Sequence, residues 1–202
     1  MEVYSIGHST FDIESFLNAL SAHNITAIAD VRSSPYSRNS PQYNRDDLKD
    51  ILSSRGIAYV FLGKELGGRP KSHSLYTNGI ADYEKMAATE EFKSGILRLE
   101  QGAMKYRIAM LCSERNPLDC HRCLLVGRAL GERGACVDHI VPGAPDLSQQ
   151  QIEKQLLANA NVAEDDMFAS VQDRLNGAYR ERSRRVAYSE GDGHRSKKAA
   201  LG

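Results

Sequence analysis

Strand and helix signals alternate in regular order over the first 140 residues, and this constrains the fold more than any single motif. Val3–Ile6 reads as a short strand closed by Gly7, and Ile13, Phe16, Leu17 and Leu20 follow at helical spacing, with Thr10 offered as the N-cap. Residues 25–31 read as a buried second strand. Asn44 then precedes a helical pattern (Leu48, Ile51, Leu52) that stops at Gly56. Residues 57–61 form a third strand, 106–111 a fourth and 135–140 a fifth, with helical patterns around Tyr83–Met86, after Thr89, and up to about Gly131 between them. Only the stretch from Leu62 to Gly79 breaks the rhythm, and a loop of that length signals function or mobility. Alternation of this kind predicts a three-layer α/β domain, Rossmann-like or flavodoxin-like, whose mostly parallel sheet of about five strands is covered on both faces.

Beyond residue 142 the pattern changes. Residues 143–188 read as a helical extension (149–157 and 166–188), and residues 189–202 have the composition of a disordered tail. The second helix turns basic at Arg180, Arg182, Arg184 and Arg185, which makes residues 178–188 a candidate nucleic-acid contact, although such a helix end is commonly just a solvated terminus. With 26 basic and 26 acidic residues the whole chain is neutral, which argues against a surface dedicated to nucleic acid. No run is long and apolar enough for a membrane span, and the start of the chain does not resemble a signal peptide, so the expected location is cytoplasmic.

All four cysteines fall between Cys112 and Cys136, where they read as free thiols, ligands or reactive groups before disulfides, with Cys123 and Cys136 also suited to the core. Set against the strand map, the unusual polar residues share one position. His8, Ser9 and Thr10 follow the first strand, and Asp30, Arg32 and Arg38 the second. Gly67-Gly68-Arg69 follows the third, while Cys112 and Glu114 close the fourth. The carboxyl ends of strands are where open α/β sheets bind ligands.

The segment Leu111 to Arg122 is the densest. Asn116-Pro117 reads as a helix N-cap with proline at N1, and Asp119 offers a second cap, so Cys120, His121 and Arg122 fall in the first turns. A helix N-terminus and nearby cations lower a thiol pKa, which makes Cys112 or Cys120 a candidate nucleophile, with His121, His8 or Glu114 moving protons. Arg32, Arg38, Arg69 and Arg122 are candidates to surround an anion, phosphate foremost, with Asp30 and Ser9 as orienting residues. The same residues admit a second reading in which Cys112, Cys120 and His121 hold a transition metal such as zinc, with His8 or His139 as a candidate further ligand, although Cys-x7-Cys-His is not a standard zinc spacing. A third reading leaves Cys120 inert in the core, with Arg122 paired to Asp30 or Glu114. No Walker loop and no GxGxxG fingerprint is present.

Taken together, Ile6-Gly7-His8-Ser9-Thr10, Asp30-Val31-Arg32 with Pro35 and Ser37-Arg38, Leu66-Gly67-Gly68-Arg69, Tyr76, and Leu111-Cys112-Ser113-Glu114 followed by Cys120-His121-Arg122 resemble the bacterial and archaeal domain-of-unknown-function family 488. The resemblance spans roughly residues 2–140 and departs at Ser113, where a smaller residue such as alanine is expected. It implies a compact α/β domain and these motif positions, and no established reaction. The expectation is therefore an enzyme, hydrolase or transferase, acting on a phosphate-bearing nucleotide or nucleic-acid component. The alternatives are a metal- or redox-sensing module and a nucleic-acid accessory protein.

Overall fold

A computed structural model of the chain describes residues 1–159 and 170–191. Its elements are β1 (Glu2–Gly7), α1 (Ile13–Ala22), β2 (Ala27–Asp30), α2 (Arg45–Ser54), β3 (Ala58–Phe61), α3 (Gly63–Leu66), β4 (Tyr76–Thr77), β5 (Ile80–Ala81), α4 (Tyr83–Ala87) and α5 (Glu90–Ala103). They continue with β6 (Ile108–Cys112), a π-helical turn (Arg122–Gly127), α6 (Arg128–Glu132), β7 (Cys136–Ile140), β8 (Leu147–Ser148), α7 (Gln149–Asn159) and α8 (Val171–Val186).

The sheet runs in the order β3-β2-β6-β1-β7-β8; the first five strands are parallel, and β8 is antiparallel to β7. The α/β class is as the alternation predicts. The sheet has one strand more than expected because two-residue β8 carries no periodic signal. β2 and β6 are buried at every position, as central strands covered on both faces must be, whereas edge strand β3 is partly exposed.

Two buried clusters show which helices cover which face. Ile6, Ile28 and Leu111 pack with Phe16, Leu20, Leu48 and Leu52 of α1 and α2. On the other face Val3, Ala29 and Met110 share a cluster with Phe92, Ile96 and Leu99 of α5 and with Leu124 and Leu130. Ile152, Leu156, Ala178 and Tyr179 of α7 and α8 belong to this second cluster, so the C-terminal helices lie against the sheet's own core.

Local chemistry explains the boundaries. α1 is capped by Asp12, whose carboxylate accepts from the Ser15 amide at 2.8 Å; Thr10 is displaced from that role by a left-handed turn at Ser9 (φ 47°). Asn44 precedes α2, but its side chain accepts from the Ser37 amide (2.7 Å) and so pins the β2–α2 loop. Gly56 supplies the positive φ that ends α2. The stretch 62–79, expected as a loop, contains α3 and the start of a β4–β5 hairpin. Past α8 the chain joins that hairpin: Ala81 donates to the Tyr188 carbonyl (2.9 Å) and Glu190 to Gly79 (3.0 Å). Ser189 and Glu190, expected as tail, are thus tied down, while 192–202 and the predicted helix start at 166–169 lie outside the described residues.

Asn116 caps a single 3-10 turn at Pro117–Asp119, not an α-helix, and Cys120 is extended (φ −136°, ψ 138°) before the π turn begins. All six residues of the π turn are buried.

Candidate functional site

The connections from β1 and from β6 leave on opposite sides of the sheet. β1 leads through α1 to β2, and β6 leads through α6 to β7, so the adjacent β1 and β6 mark a topological switch point. The two strand ends are zipped there: the amides of His8 and Ser9 donate to the carbonyls of Cys112 (3.0 Å) and Ser113 (2.9 Å). The approach is close enough to require Gly7, whose Cβ would stand 1.8 Å from the Glu114 carbonyl oxygen.

Cys112, at the end of β6, and Cys120-His121, entering the π turn, converge. Cys112 Sγ, Cys120 Sγ and His121 Nδ1 all lie within 4.8 Å of one another, with Nδ1 at 3.7 and 3.9 Å from the two sulfurs. Both thiols reach Glu114 Oε2, at 2.9 and 3.1 Å. His121 Nε2 lies 2.9 Å from the Val31 carbonyl, which can only accept; Nε2 therefore carries a proton, and Nδ1 is the nitrogen turned to the sulfurs.

Charge is concentrated in this dry spot. Arg122 is fully buried, yet among the described residues its guanidinium forms no ion pair with a carboxylate; it donates to the carbonyls of Glu114 (2.6 Å) and Arg115 (3.0 Å) and to Ser5 Oγ (3.3 Å). Burial disfavours its charge, and the neighbouring Cys120 sulfur, to which its own amide points (3.5 Å), favours it. Burial opposes ionisation of Cys120, but the hydrogen bond from Cys112, the Arg122 charge and His121 together bring its pKa well down. Cys112 goes the other way: burial and its bond to Cys120 hold its proton on. Burial and the Cys120 charge push the Glu114 carboxyl up. For His121, burial lowers the pKa and is outweighed by Cys120, which raises it.

A cleft of about 570 Å³ opens over the cluster, with Cys112, Glu114 and His121 in its floor and Arg32, Arg69 and Tyr188 in its walls. Arg32 is held rigidly: Nε and Nη2 clamp Asp30 at 2.9 and 2.6 Å, and Nη1 donates to His8 Nε2 at 3.2 Å. Tyr59 donates to the same carboxylate at 2.7 Å. His8 Nδ1 donates to the Ser9 carbonyl (2.8 Å), and burial together with the Arg32 charge holds its pKa down to about 4, so it is a neutral spacer. Its ring stacks on Tyr43 with centroids 4.2 Å apart.

The residues singled out from sequence therefore separate into three groups. Cys112, Glu114, Cys120 and His121 come together. Asp30, His8 and Ser9 surround Arg32 and the β1–β6 zipper. The four arginines do not form one ring: Arg32 and Arg69 line the cleft, Arg38 is exposed and outside it, and Arg122 is fully buried behind the cluster and does not line the cleft. Cys123 is buried, but Cys136, read as suited to the core, is exposed. Arg180, Arg182 and Arg185 on α8 pair with Glu84, Asp119 and Glu181, which leaves that helix far less basic than its sequence.

A model described as "Domain of unknown function DUF488" matches residues 12–129. The chain belongs to this family. The DUF488 match contains the whole Cys112-to-Arg122 segment, Asp30, Arg32 and Arg69, while His8 and the C-terminal helices lie outside it. No curated protein and no solved structure matches the DUF488 chain significantly. Among the described residues no helix is long and apolar enough to cross a membrane.

Sequence reasoning overlooked a buried polar chain behind the cluster. Ser5 Oγ donates to His139 Nδ1 (2.6 Å), and His139 Nε2 donates to Gln149 Oε1 (2.8 Å). Gln149 Nε2 donates to Tyr179 Oη (2.7 Å), which donates to Glu153 (3.0 Å). A serine and a histidine between apolar neighbours in β1 and β7 were the available signal. It also explains why His139 is not beside the cysteines: its two ring nitrogens are occupied in mid-sheet.

Proposed function

We propose that this protein is a metal-dependent enzyme, of hydrolase or transferase type, acting on a phosphate-bearing substrate. In this reading Cys112, Cys120 and His121 hold a thiophilic divalent cation of the zinc class. The observation that carries it is the imidazole orientation: Val31 holds Nε2 as a donor and so leaves Nδ1 as the nitrogen that faces both sulfurs. A histidine that gives its other nitrogen to a backbone carbonyl is the usual arrangement behind a metal ligand. Arg122 favours the thiolate that coordination requires.

Three protein donors would leave a zinc-class ion open to water or substrate, the pattern of catalytic rather than structural zinc. Glu114 touches both sulfurs but falls outside the three-donor group, so its role is to carry a proton at the cleft floor. A bound cation would supply Lewis acidity and lower the pKa of a bound water. Arg32 has five N–H groups, three of them committed to Asp30 and His8, which leaves two for an anion in the cleft. The competing role of Cys120 as a free nucleophile is less favoured, because Cys112, Glu114 and His121 line the cleft and Cys120 does not.

Elemental analysis of purified protein should find close to one zinc-class ion per chain. Cobalt substitution should give the intense thiolate charge-transfer band, lost in Cys112→Ser and His121→Ala. Phosphoester turnover should need the metal, and Glu114→Gln should abolish turnover while keeping the ion. Well-folded protein with no metal, and none taken up from micromolar zinc, would refute the reading.

A further inference from the structure

The cleft is too large for an inorganic anion alone. At about 570 Å³ it lies in the range of sites that enclose an organic molecule, roughly 300–1,000 Å³. Its wall carries two tyrosines with ring surface left open, Tyr36 and Tyr188. Tyr36 is 69% exposed at the cleft wall and, among the described residues, has no aromatic or cationic stacking partner. Tyr188 is only partly buried, and the Arg69 guanidinium lies over its ring, 4.9 Å from the centroid. Arg69 makes no ion pair among the described residues, and Ser33 Oγ anchors its amide at 2.9 Å. A stacked Arg–Tyr pair is a flat cationic platform, suited to an electron-rich ring.

Tyr188 is carried into place by backbone. The strap after α8 bonds through its own peptide groups to β5 and Gly79, which sets Val186, Ala187 and Tyr188 as one wall of the cleft. None of these three residues lies within the matched family region, 12–129. The reaction floor thus comes from shared chain and this wall from chain beyond it.

We propose that the outer cleft is a subsite for a planar heterocycle, flanked by Tyr36 and the Arg69–Tyr188 pair, so that the ligand is a mononucleotide whose phosphate meets Arg32. The inference deepens the function proposed above and rests on its anion half alone, independent of the metal.

Calorimetric binding to the full chain, comparing adenosine monophosphate with ribose 5-phosphate, separates the two ideas, since both ligands carry the same phosphate and only one has a base. The nucleotide should bind about tenfold or more tightly, as expected for base stacking on aromatic side chains. Tyr36→Ala and Tyr188→Ala should each reduce that advantage and leave ribose 5-phosphate binding unchanged. Tyr188→Ala keeps the strap, because it is held by backbone bonds, and circular dichroism checks that it folds. Equal binding of the two ligands, in wild type and variants alike, would overturn the ring subsite and leave the anion site standing. Binding of neither ligand would overturn both.

Discussion

His139 is completely buried between Ser5 and Gln149, with both ring nitrogens hydrogen-bonded. Burial, followed by the nearby Arg122 charge, holds its pKa down from 6.5 to about 4. In the unfolded chain the imidazole titrates near its ordinary value, so below about pH 6.5 the unfolded state takes up a proton that the folded state refuses. Stability from this residue is complete above that pH and is lost as the pH falls toward 4. The loss amounts to about 2 kcal/mol at pH 5 and approaches about 3 kcal/mol below pH 4. The perturbation is His139→Gln, whose amide can accept from Ser5 and donate to Gln149 without titrating. Urea unfolding of wild type and variant at pH 7.5 and pH 5 isolates the effect, because His8 shifts in the same direction in both proteins and His121 in the opposite direction in both. The wild type should lose about 2 kcal/mol more than the variant between those pH values. Equal losses would show that His139 is not held neutral in the folded state, and the buried chain would have to be drawn differently.

Asp30→Asn removes the carboxylate that clamps Arg32 and leaves a buried guanidinium without its partner, so denaturant unfolding should show a loss of about 3–5 kcal/mol. Gly7→Ala drives a methyl against the Glu114 carbonyl at 1.8 Å, where only backbone can yield; a loss of about 3 kcal/mol is expected by thermal unfolding, with Glu114 displaced from the sulfurs. Thiol titration of native protein should count one fast cysteine, Cys136, and three that react only on unfolding, because Cys112, Cys120 and Cys123 are buried.

The main strands were legible because each central strand is a largely apolar run, and this also pointed to the strand ends that carry the candidate site, since strand ends can be read once strands can. Three features were not legible, each for a physical reason. β4, β5 and β8 are two residues long, too short for any period to register. Sheet order depends on where each crossover lands, and so the insertion of β6 between β1 and β2 leaves no local mark. The direction of Arg122 could not be read either. Helical spacing from an Asn116 or Asp119 cap sets Arg122 on a ligand-facing turn, whereas the observed 3-10 turn, extended Cys120 and π turn carry it inward. Cys112, Glu114, Cys120 and His121 could be read as neighbours because they lie within ten positions of one another, and chain proximity nearly ensures their meeting. Arg38 was grouped with the other arginines by its charge and its loop; that loop reaches the cleft through Tyr36 and Ser37, but Arg38 itself is exposed and does not line it.

The π turn acts as a phase adjuster. In an α-helix each residue advances the azimuth by about 100°, so a single supernumerary residue shifts everything before it relative to everything after it. Here that offset lets Leu130 keep its seat in the core while Cys120 and His121 keep theirs at the mouth of β6. Shortening 122–127 by one residue would restore ordinary winding and force a choice between the two. The helix can satisfy both only because it is wound to two different clocks.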